Sequence, residues 1–254
     1  MNDLSPSRGL GSWMQRAVRS PLPTWSLEVV ETTRLTARTL GVSFAGEELR
    51  RLDWRPGQDL VLELPQPDGT VAGRHYTIRA FSAAARRLDI DFVLHGDSPA
   101  VRWATSARPG EAIVARGPRG RTRLAEGAQR RLFVGDETAA PAIFAMAEAM
   151  GSDERGLALI EVDGPGETQP PASEADFEVR WVFRDGASPG PSPRLLERLI
   201  EIDPQPADAH AYLLGETSNV RALRHWLLGR GFAKDQITAE GYWRPGRIGG
   251  HDHV

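Results

Sequence analysis

Arg74-His75-Tyr76-Thr77-Ile78-Arg79 is a short run of β-forming residues with a cation at each end and an aromatic ring inside it. Successive side chains of a strand point to opposite faces, so this spacing puts Arg74 and Tyr76 on one face. A guanidinium beside a flat ring suits a ligand that combines a phosphate with an aromatic system. An exposed edge strand with ordinary cross-strand partners would use the same residues. The sequence on either side separates the two readings.

Upstream, apolar and branched residues recur from Trp25 through Leu27 and Val29 and again over 35–44, with a break at Gly46 and a turn at Arg55-Pro56-Gly57. Asp59-Leu60-Val61-Leu62-Glu63-Leu64 stops at Pro65 and turns at Pro67-Asp68-Gly69. Downstream, Leu88, Ile90, Phe92 and Leu94 alternate with polar residues, the mark of a half-buried antiparallel strand, and 111–115 adds one more. About six strands in roughly 100 residues predict a small antiparallel β-barrel.

His95-Gly96-Asp97-Ser98-Pro99-Ala100 leads off the alternating strand into Val101-Arg102-Trp103-Ala104, which reads as helix. Ser98 is placed to act as N-cap with Pro99 at the first helical position, so free N–H groups would face outward and could seat a pyrophosphate. A capped helix start that binds nothing has the same sequence.

Beyond Gly117-Pro118-Arg119-Gly120 the pattern changes. Apolar runs at 131–134, 157–162, 177–183, 211–214 and 236–243 alternate with helical segments at 139–150, 193–202 and 220–228. This is the grammar of an α/β doubly wound parallel sheet, with ligands expected at the carboxyl ends of the strands. Those ends are Gly135-Asp136-Glu137-Thr138, Asp163-Gly164-Pro165-Gly166 and Gly215-Glu216-Thr217. The first has the strand, glycine, helix order that admits a dinucleotide, but it is acidic and lacks the GxGxxG spacing; a capped βα turn fits it equally.

The expected organisation is a leader over 1–20, a barrel over 21–126, an α/β domain over 127–247 and a tail over 248–254. The chain has 254 residues, 26% of them charged, and a formal net charge of −3, so nothing favours nucleic acid. Lys234 is the only lysine, which leaves arginine to bind anions. Cysteine is absent, excluding disulfides, iron–sulfur clusters and thiolate chemistry, so any redox reaction needs a cofactor. No apolar run spans a membrane and no secretory signal precedes the barrel, which predicts a cytoplasmic protein. His251 and His253 flank Asp252 in the tail, a poor preorganised metal site.

Taken in order, Arg74-His75-Tyr76-Thr77, Phe92-Val93-Leu94-His95-Gly96 with Pro99-Ala100 and Trp103-Ala104, Gly135-Asp136-Glu137-Thr138-Ala139-Ala140-Pro141, and Gly241-Tyr242-Trp243-Arg244 resemble the siderophore-interacting proteins. These are FAD-dependent ferric-siderophore reductases within the ferredoxin-reductase-like flavoproteins. The resemblance covers about 20–247 and implies an FAD-binding barrel followed by an NAD(P)H-binding domain. It implies Arg74 on a flavin phosphate, Tyr76 against the isoalloxazine and Thr77 near the hydride-accepting nitrogen, through its main chain because it lies opposite Tyr76. His95, Gly96, Ser98, Pro99, Ala100 and Trp103 would hold the pyrophosphate and adenosine. Asp136, Glu137, Thr138 and Pro141, with Glu216, would border the nicotinamide. The loop before Pro99-Ala100 is shorter than in relatives, and Val101 stands where they carry a hydroxyl, so FAD affinity is expected to be lower.

The reaction implied is electron transfer from NADH or NADPH, or from a protein donor, through FAD to a ferric siderophore. For that anionic substrate Arg55, Arg119 and Arg244 are the expected contacts; Arg119, Arg121 and Arg123 would share a face if extended. Two other readings remain open: a flavin or diaphorase-type reductase with another acceptor, and a ferric-chelate binding protein that has lost the flavin.

Overall fold

The alternating pattern becomes a barrel in the computed structural model, which describes residues 22–207 and 209–247 and, as backbone, 252–253. The leader and the side chains of His251 and His253 lie outside the described residues. Strands β1 (Thr24–Arg34), β2 (Thr39–Ala45), β3 (Asp59–Pro65), β4 (Val71–Thr77), β5 (Ala80–Ser82), β6 (Arg87–Val93) and β7 (Ala112–Arg119) form one sheet in the order β4-β3-β7-β1-β2-β6-β5. Every pairing in it is antiparallel. Leu60, Leu62 and Leu64 on β3 and Leu88, Ile90 and Phe92 on β6 are fully buried at alternate positions. At about 1.5–3 kcal/mol for each large apolar side chain removed from water, these two rows anchor the core.

The opening motif is not one strand. β4 ends at Thr77, the N–H of Ile78 still reaches the carbonyl of Gln58 at 3.0 Å, and the N–H of Arg79 turns to Asp89 at 2.8 Å. Two residues thus carry the chain from the β3 side of the sheet to the β6 side and close the barrel. Helix α1 (Pro99–Ser106) plugs it with Ala100, Trp103 and Ala104, the i, i+3, i+4 face.

The second sheet is parallel, with order β10-β9-β8-β11-β12 for β8 (Arg130–Asp136), β9 (Arg155–Val162), β10 (Asp176–Phe183), β11 (Ala209–Glu216) and β12 (Ile237–Trp243). A two-residue strand β13 (Asp252–His253) adds antiparallel to β12. Continuously apolar strands are what burial on both faces demands. Leu132 and Val134 pack toward α3 (Arg194–Ile202) and α4 (Thr217–Gly229), while Phe133 packs toward α2 (Ala140–Glu148).

Named contacts join the two sheets. Arg79 makes a two-pronged pair with Glu148 at 2.6 and 2.7 Å and lies 5.7 Å from the Phe144 ring centre. Arg38 pairs with Asp163 at 2.9 Å, and the Thr36 hydroxyl and Arg38 N–H both donate to Glu167. Thr122 donates to Glu240 at 2.7 Å.

Candidate active site

Between the sheets lies a cleft of about 410 Å³, within the range of small-molecule sites. Arg74, Tyr76 and Thr77 line it from the barrel. The Tyr76 ring sits 4.3 Å from that of Phe92 on β6, tilted by 35°, so the barrel core supports it from behind. Burial pushes its hydroxyl pKa up, with the Arg74 charge opposing. Thr77 has its side chain hydrogen-bonded to Tyr242 of the second sheet, so its hydroxyl is already engaged.

His95, Gly96, Ser98 and Ala100 form one end of the lining. The helix start is less open than its sequence suggests. Ser98 Oγ accepts from the N–H of Val101 at 3.2 Å and its carbonyl accepts from Arg102 at 3.0 Å. Pro99 has no N–H, which leaves the Ala100 N–H and the Ser98 hydroxyl proton as donors in the first turn of the helix. Pro99 itself is absent from the cleft lining. Trp103 is a correction: it is buried in the barrel, stacked 6.1 Å from Phe44 and tilted against Phe92 at 5.7 Å, and is not part of the cleft lining.

The acidic strand ends also differ from expectation. Thr138 and Pro141 line the cleft, but Asp136, Glu137 and Glu216 do not. Asp136 is buried and ties three strand ends together. One carboxylate oxygen accepts from the N–H and hydroxyl of Thr138; the other accepts from the N–H of Glu216 at 2.8 Å and from Trp243 Nε1 at 2.9 Å. Desolvation, reinforced by the neighbouring Glu137 charge, raises its pKa to about 6 against those hydrogen bonds. Glu137 is held by both terminal nitrogens of buried Arg184 at 2.6 Å. Glu216 caps α4 by accepting from Asn219 N–H at 2.8 Å.

The glycines of these motifs are explained by the same packing. A Cβ on Gly135 would lie 2.6 Å from the Leu214 carbonyl oxygen, and one on Gly215, where φ is +119°, would lie 2.5 Å from Asp136 Oδ2. The strand–glycine–acid signature here serves the sheet itself.

Of the expected substrate arginines, Arg244 lines the cleft. Arg119 stands behind His75, with Nη1 at 3.4 Å from His75 Nε2. Arg55 is exposed on the loop before Gly57, with its N–H on Gln58, and is outside the lining. Arg119, Arg121 and Arg123 do not share an extended face, because β7 ends at Arg119 and Gly120 turns the chain. The sequence reading passed over His75, Asp59, Asp91, Tyr242 and Trp243 as site residues, and all five line the cleft. His75 sits inside the opening motif, and Tyr242-Trp243 inside the last one, so position in a motif was the available signal. Trp243 lies 5.9 Å from the His95 ring across the opening. Desolvation raises Asp91 to about 6, opposed chiefly by Arg79.

The family model described as siderophore-interacting protein matches residues 128–246, and that of the siderophore-interacting FAD-binding domain matches 63–122. Ferric vibriobactin reductase ViuB of Vibrio cholerae is 34% identical over 71% of this chain and 68% of its own length. The crystal structure of a siderophore utilization protein from T. fusca is 31% identical, with a TM-score of 0.83 over 90% of this chain and 95% of that one. The chain belongs to the siderophore-interacting protein family.

The NADPH-dependent ferric-chelate reductase of Escherichia coli is also similar, at 26% identity over 89% of this chain and 95% of that protein. The fold, an antiparallel barrel followed by a parallel sheet, is ferredoxin-reductase-like. The family's FAD can be tested against the residues present. An open cleft with a supported tyrosine ring, a guanidinium beside it, and a hydroxyl and backbone N–H at one end provides a surface for an aromatic system and donors for phosphate. The residues fit the group. No helix among the described residues is long and apolar enough to cross a membrane.

Proposed function

We propose that this protein is an FAD-dependent ferric-siderophore reductase of the cytoplasm that draws electrons from NADH or NADPH. The observation that carries the reading is the cleft lined by Arg74 and Tyr76 from the barrel and by Thr138 and Pro141 from the second sheet's side. Family membership and the reductase names of its relatives support it.

FAD, when bound, supplies the conversion of a two-electron hydride donor into single-electron steps. Arg74, the Ser98 hydroxyl and the Ala100 N–H hold its phosphates, with His95 and Gly96 alongside. Tyr76 supports the ring from the barrel side, and Thr77, its hydroxyl committed to Tyr242, contributes its main chain. Thr138 and Pro141 bound the space for the nicotinamide. Arg244 and Arg119 attract an anionic ferric chelate to the opening. Reduction releases iron because hard oxygen ligands hold the more highly charged ion more tightly. No acid–base pair is required of the protein; its contribution is position and charge.

The test is the visible spectrum of the purified protein. A flavin spectrum that bleaches under anaerobic NADH or NADPH and returns on adding a ferric siderophore, with iron(II) trapped by a chromogenic chelator, is the expected result. Colourless protein that takes up no FAD would refute it.

A further inference from the structure

Three neighbouring strands bring Asp59, His75 and Arg119 together at the cleft wall. Asp59 on β3 lies opposite Thr77 of β4 on one side and opposite Arg119 of β7 on the other. His75, two residues before Thr77, places Nδ1 2.6 Å from Asp59 Oδ2, and that oxygen is also 3.9 Å from Arg119 Nε. Arg119 Nη1 is 3.4 Å from His75 Nε2. Asp59 is buried, whereas the Arg119 side chain is 37% exposed.

The chemistry of these contacts fixes the direction of the chain of hydrogen bonds. Arginine does not give up its proton, so His75 Nε2 faces a permanent donor and must accept. The ring hydrogen is then on Nδ1 and is donated to Asp59. Asp59 orients His75, which accepts from Nη1, and the Asp59 charge at 3.9 Å attracts the Nε edge of the guanidinium. Nη2 is left as the nitrogen for a ligand. A long side chain already steered by one hydrogen bond and one charge contact loses less freedom when it grips an anion.

We infer that His75 and Asp59 are positioning residues that hold the half-exposed Arg119 beside the cleft wall to receive the anionic ferric chelate. This rests on the reductase reading and adds to it the means by which one substrate cation is aimed. The alternative is that Arg119 only neutralises the buried Asp59, a structural role with no consequence for binding.

The test uses the FAD-loaded protein and gallium(III) tris-catecholate, a redox-inert trianion, with the dissociation constant read by calorimetry. Arg119→Gln should weaken binding about ten-fold, as expected for loss of one charge-assisted hydrogen bond. His75→Phe should weaken it by a comparable factor, and the double variant should be no weaker than Arg119→Gln alone. His75→Gln, whose amide oxygen reaches the Nε2 position, should restore most of the affinity, whereas His75→Asn should not. If His75→Phe sheds flavin, the Gln and Asn variants carry the comparison.

Wild-type affinity in His75→Phe, or losses that multiply in the double variant, would overturn the positioning while leaving the substrate contact intact. Unchanged affinity in Arg119→Gln would remove both contact and positioning. A bleached and restored flavin spectrum in that same variant would still uphold the reductase reading.

Discussion

Replacing Asp136 by asparagine exchanges one oxygen for NH₂ with almost no change in volume, yet the structure predicts a large loss of stability. All four groups facing this carboxylate are donors: the Thr138 N–H and hydroxyl on one oxygen, the Glu216 N–H and Trp243 Nε1 on the other. An asparagine with its NH₂ toward Trp243 meets two donors that cannot accept; turned toward Thr138 it finds the hydroxyl as an acceptor but still sets an amide hydrogen against the Thr138 N–H. Each buried polar group left unsatisfied costs about 1–3 kcal/mol, so two cost about 4 kcal/mol. At about 2–4 °C per kcal/mol for a chain of this size, Tm should fall by about 8–16 °C. Thermal and urea unfolding at pH 7.5 and fixed FAD concentration would measure this. Trp243→Phe supplies an internal check, because it removes one donor from the side on which the amide oxygen stays. It should cost about 1 kcal/mol in both backgrounds, because the asparagine keeps its oxygen toward Trp243. A loss below about 0.5 kcal/mol for Asp136→Asn, or a Trp243→Phe cost that vanishes in its background, would refute the reasoning.

Arg79→Met leaves Asp91 and Glu148 facing each other without their shared cation and should lower stability by about 2–3 kcal/mol, reduced from a fully buried pair by partial exposure; Glu148→Gln keeps an acceptor and should cost less. Equal melting temperatures for the two variants would count against the clasp. Asp91 releases its proton near 3.8 when unfolded and near 6 when folded. The folded state therefore binds more protons between those values, and its contribution to stability falls by about 3 kcal/mol as pH rises through them. Asp91→Asn should flatten that slope in denaturant titrations from pH 4 to 7; an unaltered slope would assign it to other groups. Gly215→Ala puts a Cβ against Asp136 at a φ of +119° and should prevent accumulation of folded protein, and a variant melting with the parent would contradict the packing.

Much of the architecture was legible because it is written in local periodicity. Leu88, Ile90 and Phe92 alternate as a barrel strand must, and Leu132-Phe133-Val134 run unbroken as a strand covered on both faces must. The site was legible where one motif carries both a residue and its orientation, as with Arg74 and Tyr76. It was not legible where partners come from far along the chain. Asp136 meets donors 80 and 107 residues away, and these turn an apparent nucleotide turn into a structural junction. Trp103 is adjacent to the phosphate corner in sequence, but the i+3 position of α1 points into the barrel toward Phe44. The pairing of His75 with Asp59 depends on β3 and β4 being neighbours in a particular register, which no local pattern states.

The ties between the two sheets have a kinetic meaning. Arg79 on Glu148, Arg38 and Thr36 on the 163–167 turn, and Thr122 on Glu240 brace the walls independently. A trench braced in this way keeps its width as it fills and empties, so reactants exchange by diffusing along it while the walls stand still. The walls then add no viscosity-dependent step of their own, and turnover should follow solvent viscosity only as far as reactant diffusion limits it, unlike that of an enzyme whose jaws part on every cycle.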